Sequence, residues 1–261
     1  MWHNFEIFAI ISLVTWILAI GTSLSNKMDK IANLAAILGT LSLAVFIILL
    51  WANLQRPPLR TLGETRLWYS FFLAISGYVI FKRWKIKLML MYSLGMAILF
   101  LLLNYLNPDI HSKTLMPALQ SIWFVPHVIV YMIAYALLGL SALFGLLGLY
   151  AIRKGNMKED FVLKTDNIVY IGFGFLTLGL IFGALWAKEA WGHYWTWDPK
   201  ETWAFLTWAV YLVYIHFRIK SNLSHKSVFL ILLLAFVVLL ICWFGINYLP
   251  AAQNSVHVYS S

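Results

Sequence analysis

The chain has 261 residues, of which 62% are hydrophobic and only 11% are charged. A soluble domain carries about 25% charged residues, so this composition excludes a soluble enzyme and indicates an integral membrane protein. The net charge of +9 comes from lysines and arginines that we assign to membrane topology, and no nucleic-acid partner is expected. The first apolar run is long and lacks a basic leader, so we predict no cleavable signal.

Eight apolar runs are candidates for spanning helices, each of which needs about 20 mostly apolar residues. They cover residues 5–25, 31–54, 67–81, 87–106, 127–151, 167–187, 201–218 and 228–249. The third run is the shortest. The predicted fold class is therefore all-α, a polytopic membrane protein of about eight transmembrane helices that forms a single membrane domain over 1–261.

Lysine and arginine are unevenly distributed among the loops that join these runs. One set of loops carries 13 of the 19 basic residues and the opposite set carries 6. Basic residues favour the cytoplasmic side, so both termini and the loop after the sixth run are predicted to lie outside, next to membrane lipid. The loop with Arg56, Arg60 and Arg66 is more basic than this orientation predicts.

A stripe of small residues and the cysteine count give two further indications. Gly179, Gly183 and Ala187 recur every four residues in the sixth run, a spacing that permits close helix packing. Cys242 is the single cysteine, so the chain can form neither an internal disulfide nor a Cys-x-x-Cys pair. Any thiol chemistry must come from a partner.

The stretch WAKEAWGHYWTWDPKETWAF, residues 186–205, concentrates five tryptophans in the predicted outer loop. Its acidic residues also fit a helix start. Asp198 suits the N-cap, Pro199 the first helical position, and Glu201 the third position of a capping box. Asp198 and Glu201 can therefore have a purely structural role.

The tryptophans are denser than an ordinary interfacial belt of aromatic residues. If the segment were helical, Trp191 and Trp195 would share one face, and so would Trp197 and Glu201. The predicted result is an aromatic shelf rimmed by basic side chains, namely Lys188, His193 and Lys200. Haem is flat and apolar with two anionic propionates, which fits such a shelf, whereas a quinone fits only its flat part.

Haem iron is usually bound by histidine, and the chain has seven. His127, at the start of the fifth run, and His257, in the C-terminal tail, lie on the predicted outer side. The same side holds His3, His111 and His193. His216 lies near the inner end of the seventh run, roughly 27 Å from Asp198 at 1.5 Å per residue, so it cannot bind the iron of a haem at the shelf. A histidine in such a position can equally be structural.

At the level of whole motifs, WGHYWTWDPKETWAF resembles the W-G-x-x-W-x-W-D signature of the WWD-domain haem-handling membrane proteins. The continuation DPKETWAF resembles the CcsA/ResC cytochrome c biogenesis proteins of the system II pathway more than the CcmC or CcmF branches. The resemblance covers about residues 60–261, and the tail lacks the family's usual glycine-rich run.

The resemblance implies haem b as a substrate, presented (and possibly exported) at the outer face of a bacterial cytoplasmic membrane for thioether attachment to a Cys-x-x-Cys-His apocytochrome c. It implies His127 and His257 as outer iron ligands and His216 as ligand at a deeper haem position. The implied shelf contacts are Trp191, Trp195, Trp197 and Asp198. The implied partners are a CcsB/ResB-like membrane protein and apocytochrome c, within a cytochrome c synthase complex.

Two other functions stay open from the residues. A cytochrome b-like quinone oxidoreductase would hold haem between paired histidines in the hydrocarbon layer. A regulatory haem-binding subunit would stabilise another enzyme without passing haem on.

Overall fold

A computed structural model describes residues 2, 4–111, 121–220 and 223–248 of the chain. The described residues form eight α-helices, which confirms the all-α polytopic fold. They are α1 (Phe5–Ser23), α2 (Asp29–Leu54), α3 (Leu62–Trp84), α4 (Lys87–Leu106), α5 (Phe124–Arg153), α6 (Glu159–Trp191), α7 (Pro199–Lys220) and α8 (His225–Trp243). Short 3-10 turns cover Asn26–Met28, Pro108–His111 and Gly245–Tyr248.

Six of these helices are long and apolar enough to cross a membrane, namely α1, α2, α4, α5, α6 and α8. The other two, α3 and α7, coincide with predicted spans but fall outside that group. Their content of Tyr, Trp and charged residues lowers their hydropathy. At 33 residues, α6 is about 50 Å long at 1.5 Å per residue, so it exceeds the ~30 Å hydrocarbon layer.

The chain divides into two compact units, Met1–Pro117 and Ala118–Ser261. In the first unit, α1 packs on α2 and α4, and α3 packs on the same two helices. In the second unit, α5 packs on α6 and α8, and α7 packs on the same two helices. Each unit is thus an up-and-down bundle in which every helix contacts its chain neighbours and the first contacts the fourth. The single domain over 1–261 stays a prediction.

The basic loop before α3 is partly neutralised inside its own unit. Glu64 is 2% exposed and accepts two hydrogen bonds of 3.0 Å from the guanidinium of Arg56. Glu64 also accepts from the backbone N–H of Thr61, while the Thr61 hydroxyl accepts from the Glu64 N–H. This capping box begins α3. Glu64 also pairs with Arg56, so the charge of one of the three arginines is neutralised within the unit.

Candidate functional site

The tryptophan-rich segment is not one continuous helix. The α6 helix ends at Trp191, because Gly192 adopts a left-handed conformation with φ 84°. Residues 193–198 form a loop, and α7 starts at Pro199. The condition under which Trp191 would share a helical face with Trp195, and Trp197 with Glu201, is therefore not met. Glycine favours left-handed backbone and proline starts helices, so WGHYWTWDP has a stop signal and a start signal in the right order.

The predicted capping box at the start of α7 is confirmed. Asp198 is 7% exposed, and its Oδ1 accepts a hydrogen bond of 2.9 Å from the N–H of Lys200. Glu201 is 8% exposed, and its Oε2 accepts from the N–H of Asp198 at 3.2 Å. Both carboxylates thus satisfy backbone donors at the first turn of α7, where the helix dipole also favours negative charge.

His127 is held firmly at the start of α5. Its Nδ1 lies 2.9 Å from the carbonyl oxygen of Gly179 on α6. A carbonyl can only accept, so Nδ1 carries the proton and the lone pair of the neutral ring resides on Nε2. A hydrogen bond from one ring nitrogen to a backbone carbonyl is how metal-binding histidines are usually oriented.

The predicted stripe of small residues on α6 makes room for this ring. A Cβ at Gly183 would lie 2.8 Å from Cε1 and 2.9 Å from Nδ1 of His127. A Cβ at Gly179 would lie 3.1 Å from the ring of Tyr131, one turn along α5. The stripe therefore allows close packing, as predicted, and the residue packed against Gly183 is the predicted iron ligand.

The tryptophans fall into two aromatic clusters. In the first, Trp186 is 3% exposed, stacks 5.4 Å from the His127 ring and meets Trp191 edge to face at 4.8 Å. In the second, the Trp197 ring lies 5.8 Å from both Trp195 and Phe205, edge to face in each case. The tryptophans of the predicted shelf thus lie in two places, at the C-terminal end of α6 and in the loop with the first turns of α7.

Two buried polar atoms, one in the loop and one farther along α7, have no hydrogen-bond partner among the described residues. They are Nε1 of Trp195 and the hydroxyl of Tyr211. Burying a donor without a partner costs about 1–3 kcal/mol. A bound molecule can supply the missing partner of such a buried donor. Lys200, which is half-buried, lies at the start of α7, close in the chain to Trp195.

His216 lies toward the opposite end of this unit. It is exposed on α7, two residues before Arg218, whose guanidinium donates to the carboxylate of Asp166 on α6. Along α6, Asp166 and Gly183 are roughly 25 Å apart at 1.5 Å per residue. His216 and His127 therefore cannot bind the same iron.

The remaining histidines differ in their surroundings. His193 is exposed in the loop. His111 stacks on Trp2 with ring centroids 3.6 Å apart and lies in the first unit. His225 lies at the start of α8, and its Nε2 lies 3.0 Å from a carboxylate oxygen of Glu159, because α8 begins beside the start of α6. His3 and His257 lie outside the described residues.

A conventional multi-ligand metal centre is not present in the described part of the chain, where no three His, Cys, Asp or Glu side chains are grouped. Haem needs only axial ligands, so this does not bear on the predicted iron ligands. The Lys188 ammonium, predicted to rim the shelf, donates to the Gly192 carbonyl at 2.7 Å and lies over the Tyr194 ring.

Some contacts of the predicted site residues were missed by sequence reasoning. Trp186 and Tyr131 flank the His127 ring, and the Tyr211 hydroxyl on α7 has no hydrogen-bond partner among the described residues. The spacing of His127 and Tyr131, one helical turn apart and opposite two glycines, was a usable signal for the first pair. Tyr211 lies in an aromatic-rich run of α7 where nothing in the sequence distinguishes it.

The chain matches the family model described as Cytochrome C assembly protein over residues 3–252. It is 32% identical to the cytochrome c biogenesis protein CcsA of Guillardia theta, over 94% of this chain and 92% of that protein. It is 29% identical to CcsA of Prochlorococcus marinus (strain MIT 9301), over 93% and 90% of the two chains.

A solved structure of cytochrome c haem lyase CcmF has the same fold, with a TM-score of 0.68 over 95% of this chain. Its sequence identity is 18%, and the chain spans about half the length of that protein, 48%. The family match over nearly the whole chain, together with a relative above 30% identity, establishes that this chain belongs to the cytochrome c assembly protein family, in the CcsA group of cytochrome c biogenesis proteins.

Proposed function

We propose that this protein presents haem b at the outer membrane face for covalent attachment to a Cys-x-x-Cys-His apocytochrome c. The observation that carries the proposal is the orientation of His127. Its Nδ1 donates to the Gly179 carbonyl and its ring packs against Gly183 and Trp186, near the C-terminal end of α6. This is the arrangement of an axial ligand whose tautomer and ring plane are set before haem arrives.

In this proposal the chain's contribution is to hold and orient haem. His127 supplies the Nε2 lone pair as one axial ligand, and His257 is proposed as the second. The rings of Trp191, Trp195 and Trp197 contact the porphyrin, while Asp198 shapes the loop that carries two of them. The half-buried Lys200 and the unpartnered Trp195 N–H supply positive charge and a hydrogen-bond donor for the propionates. Addition of the cysteine thiols across the haem vinyl groups is chemistry of haem and thiol.

The finer assignments of the family belong to this proposal. His216 serves a deeper haem position, on the route from the membrane to the outer loop. A CcsB/ResB-like membrane protein and apocytochrome c are the partners, so the chain acts as a subunit of a cytochrome c synthase complex. The location is the bacterial cytoplasmic membrane, with the tryptophan loop and both termini outside.

The test is co-expression with a CcsB/ResB-like partner and a reporter apocytochrome, followed by covalent haem staining. His127→Ala and His257→Ala are expected to lower both retained haem and stained cytochrome. Added imidazole should restore part of each loss by filling the empty coordination position. His225→Ala is the control, because that ring pairs with Glu159 at the opposite helix ends. Full haem and an unchanged absorption spectrum in His127→Ala would exclude this residue as a ligand.

Topology is tested separately with reporter fusions after Ser261. Activity of an outer-side reporter there supports the orientation. A cytoplasmic signal would move the whole proposed site to the other face of the membrane.

The alternative functions make different predictions. A cytochrome b-like oxidoreductase needs histidines paired on one iron, whereas His127 packs near the C-terminal end of α6 and His216 lies beside Arg218, whose partner Asp166 is near the other end of α6. A regulatory haem-binding subunit would retain haem without passing it covalently to the reporter cytochrome, and that result in the co-expression assay would replace the proposal.

A further inference from the structure

The backbone at Trp197 is strained. Its φ of 60° puts the backbone in the left-handed region, which residues other than glycine seldom occupy. The indole is 62% exposed, so burial of the ring does not stabilise this conformation. Strained backbone persists only where surrounding contacts enforce it, and it concentrates at functional sites.

The contacts that enforce this conformation come from Glu201. One oxygen, Oε2, accepts from the N–H of Thr196 at 2.7 Å and from the N–H of Asp198 at 3.2 Å. The hydroxyl of Thr196 lies 3.3 Å from the same oxygen. The carboxylate thus binds the backbone on both sides of Trp197, and hydrogen bonds to an ionised acceptor are roughly twice as strong as neutral ones.

A second residue of the same turn holds the carbonyl of Trp197. The Thr202 hydroxyl donates to that oxygen at 3.1 Å, while the Thr202 N–H donates to the Asp198 carbonyl at 2.8 Å. Glu201 is 8% exposed and cannot itself contact a large ligand in the loop. A helix start needs one capping-box bond to the N-cap N–H, so the bonds to Thr196 go beyond what capping requires.

We propose that Glu201 is a positioning residue, which holds the 196–198 turn in its strained conformation so that Trp197 presents its indole outward to the haem-type ligand. The proposal rests on the proposed function for the identity of the ligand. The role of Trp197 differs from that of Trp195, whose indole is partly covered and whose N–H is buried. Without the carboxylate, the turn relaxes and the Trp197 ring leaves its edge-to-face contacts.

The first measurement does not depend on haem. The full-length protein is labelled with 5-fluorotryptophan, and the 19F resonance of Trp197 is identified as the one missing in Trp197→Phe. Glu201→Ala is expected to shift or split this resonance. Glu201→Gln, which keeps an acceptor of the same length, should restore much of its position. Thr202→Val perturbs the same turn while keeping the Glu201 carboxylate. The control is Glu189→Ala, a nearby carboxylate that accepts from Ser121.

The second measurement is a double-mutant cycle on haem affinity, by titration of the purified variants with haem b. If Glu201 acts through Trp197, Glu201→Ala and Trp197→Ala lower the affinity by the same factor, and the double variant is no weaker than either. Additive losses would overturn the proposal, because Glu201 would then act independently of the ring. An unchanged Trp197 resonance in both Glu201→Ala and Thr202→Val would also overturn it.

Failure of the proposed function gives a different pattern. Trp197→Ala would then bind haem as well as the unaltered chain, while the resonance still moved in Glu201→Ala. That result removes haem as the ligand and supports the positioning of Trp197 by Glu201.

Discussion

The sharpest test of the His127 site is to add one methyl group to α6. In Gly183→Ala the new Cβ would lie 2.8 Å from Cε1 and 2.9 Å from Nδ1 of His127, closer than real Cβ atoms approach other atoms. The imidazole must move, because the three atoms nearest to the added Cβ all belong to the ring of His127. Movement of the ring lengthens or breaks its 2.9 Å hydrogen bond to Gly179.

The expected change in folding stability is small, whereas the expected change in haem affinity is large. Overpacking costs about 1–3 kcal/mol of folding stability, and the gain in helix propensity from Gly to Ala returns about 1 kcal/mol. Net destabilisation of at most about 2 kcal/mol should leave the protein in the membrane. Loss of the hydrogen bond that orients a metal-binding histidine typically costs roughly 10–100-fold in affinity. We therefore expect haem affinity to fall by that factor at near-normal abundance.

A matched control exists on the same helix. Gly174 has no atom within 4 Å of an added Cβ. Gly174→Ala should therefore gain helix propensity and bind haem normally. The assay is titration of both purified variants with haem, followed by the Soret absorbance, with abundance measured on the same preparations. Equal affinity and identical spectra in the two variants would refute the claim that the close approach of α5 and α6 sets the ligand.

Three further predictions concern other parts of the structure. Trp195→Ala should lower haem content at near-normal abundance, because it removes an aromatic ring and a buried donor. Asp198→Asn keeps an N-cap and should retain most haem. The reverse result would mean that the carboxylate contacts the ligand and that the indole is only an interfacial residue. Asp166→Asn should lower the folding stability by about 3–5 kcal/mol, because it leaves the partly buried Arg218 without its ion pair. Thermal unfolding in detergent measures this loss, and unchanged stability would show that the pair contributes little. Burial lowers the pKa of His111, so its contribution to folding stability is present above about pH 6.5 and is lost as the pH falls below that value. NMR titration should give a pKa for this ring below that of an ordinary histidine. A raised pKa would contradict the observed packing of His111 on Trp2.

Much of the architecture follows from local pattern. Apolar runs of spanning length predict the eight helices, and Asp198, Pro199 and Glu201 predict where α7 begins. These features depend on residues close in the chain, so sequence alone specifies them. The spacing of Gly179 and Gly183 likewise predicts close packing of α6, because small residues allow it on whichever neighbour is present.

Local pattern could not say what fills the space above those glycines. That His127 packs there, with Nδ1 on the Gly179 carbonyl, depends on the register of α5 against α6. The helical face that Glu201 would have shared with Trp197 is absent for a local reason, because residues 193–198 form a loop and the Glu201 carboxylate binds the backbone on both sides of Trp197.

Pairs between distant segments are the features that only the folded bundle decides. Asp166 with Arg218 and Glu159 with His225 each join residues more than 50 positions apart, and either member alone reads as an ordinary charge at a helix end. The left-handed turn at Trp197 is instead held by a residue only four positions away, Glu201, but nothing in tryptophan favours that backbone and local pattern predicted only the helix cap. Composition and periodicity thus determine which segments become helices, whereas the side chain that meets a glycine or an opposite charge depends on how those helices pack.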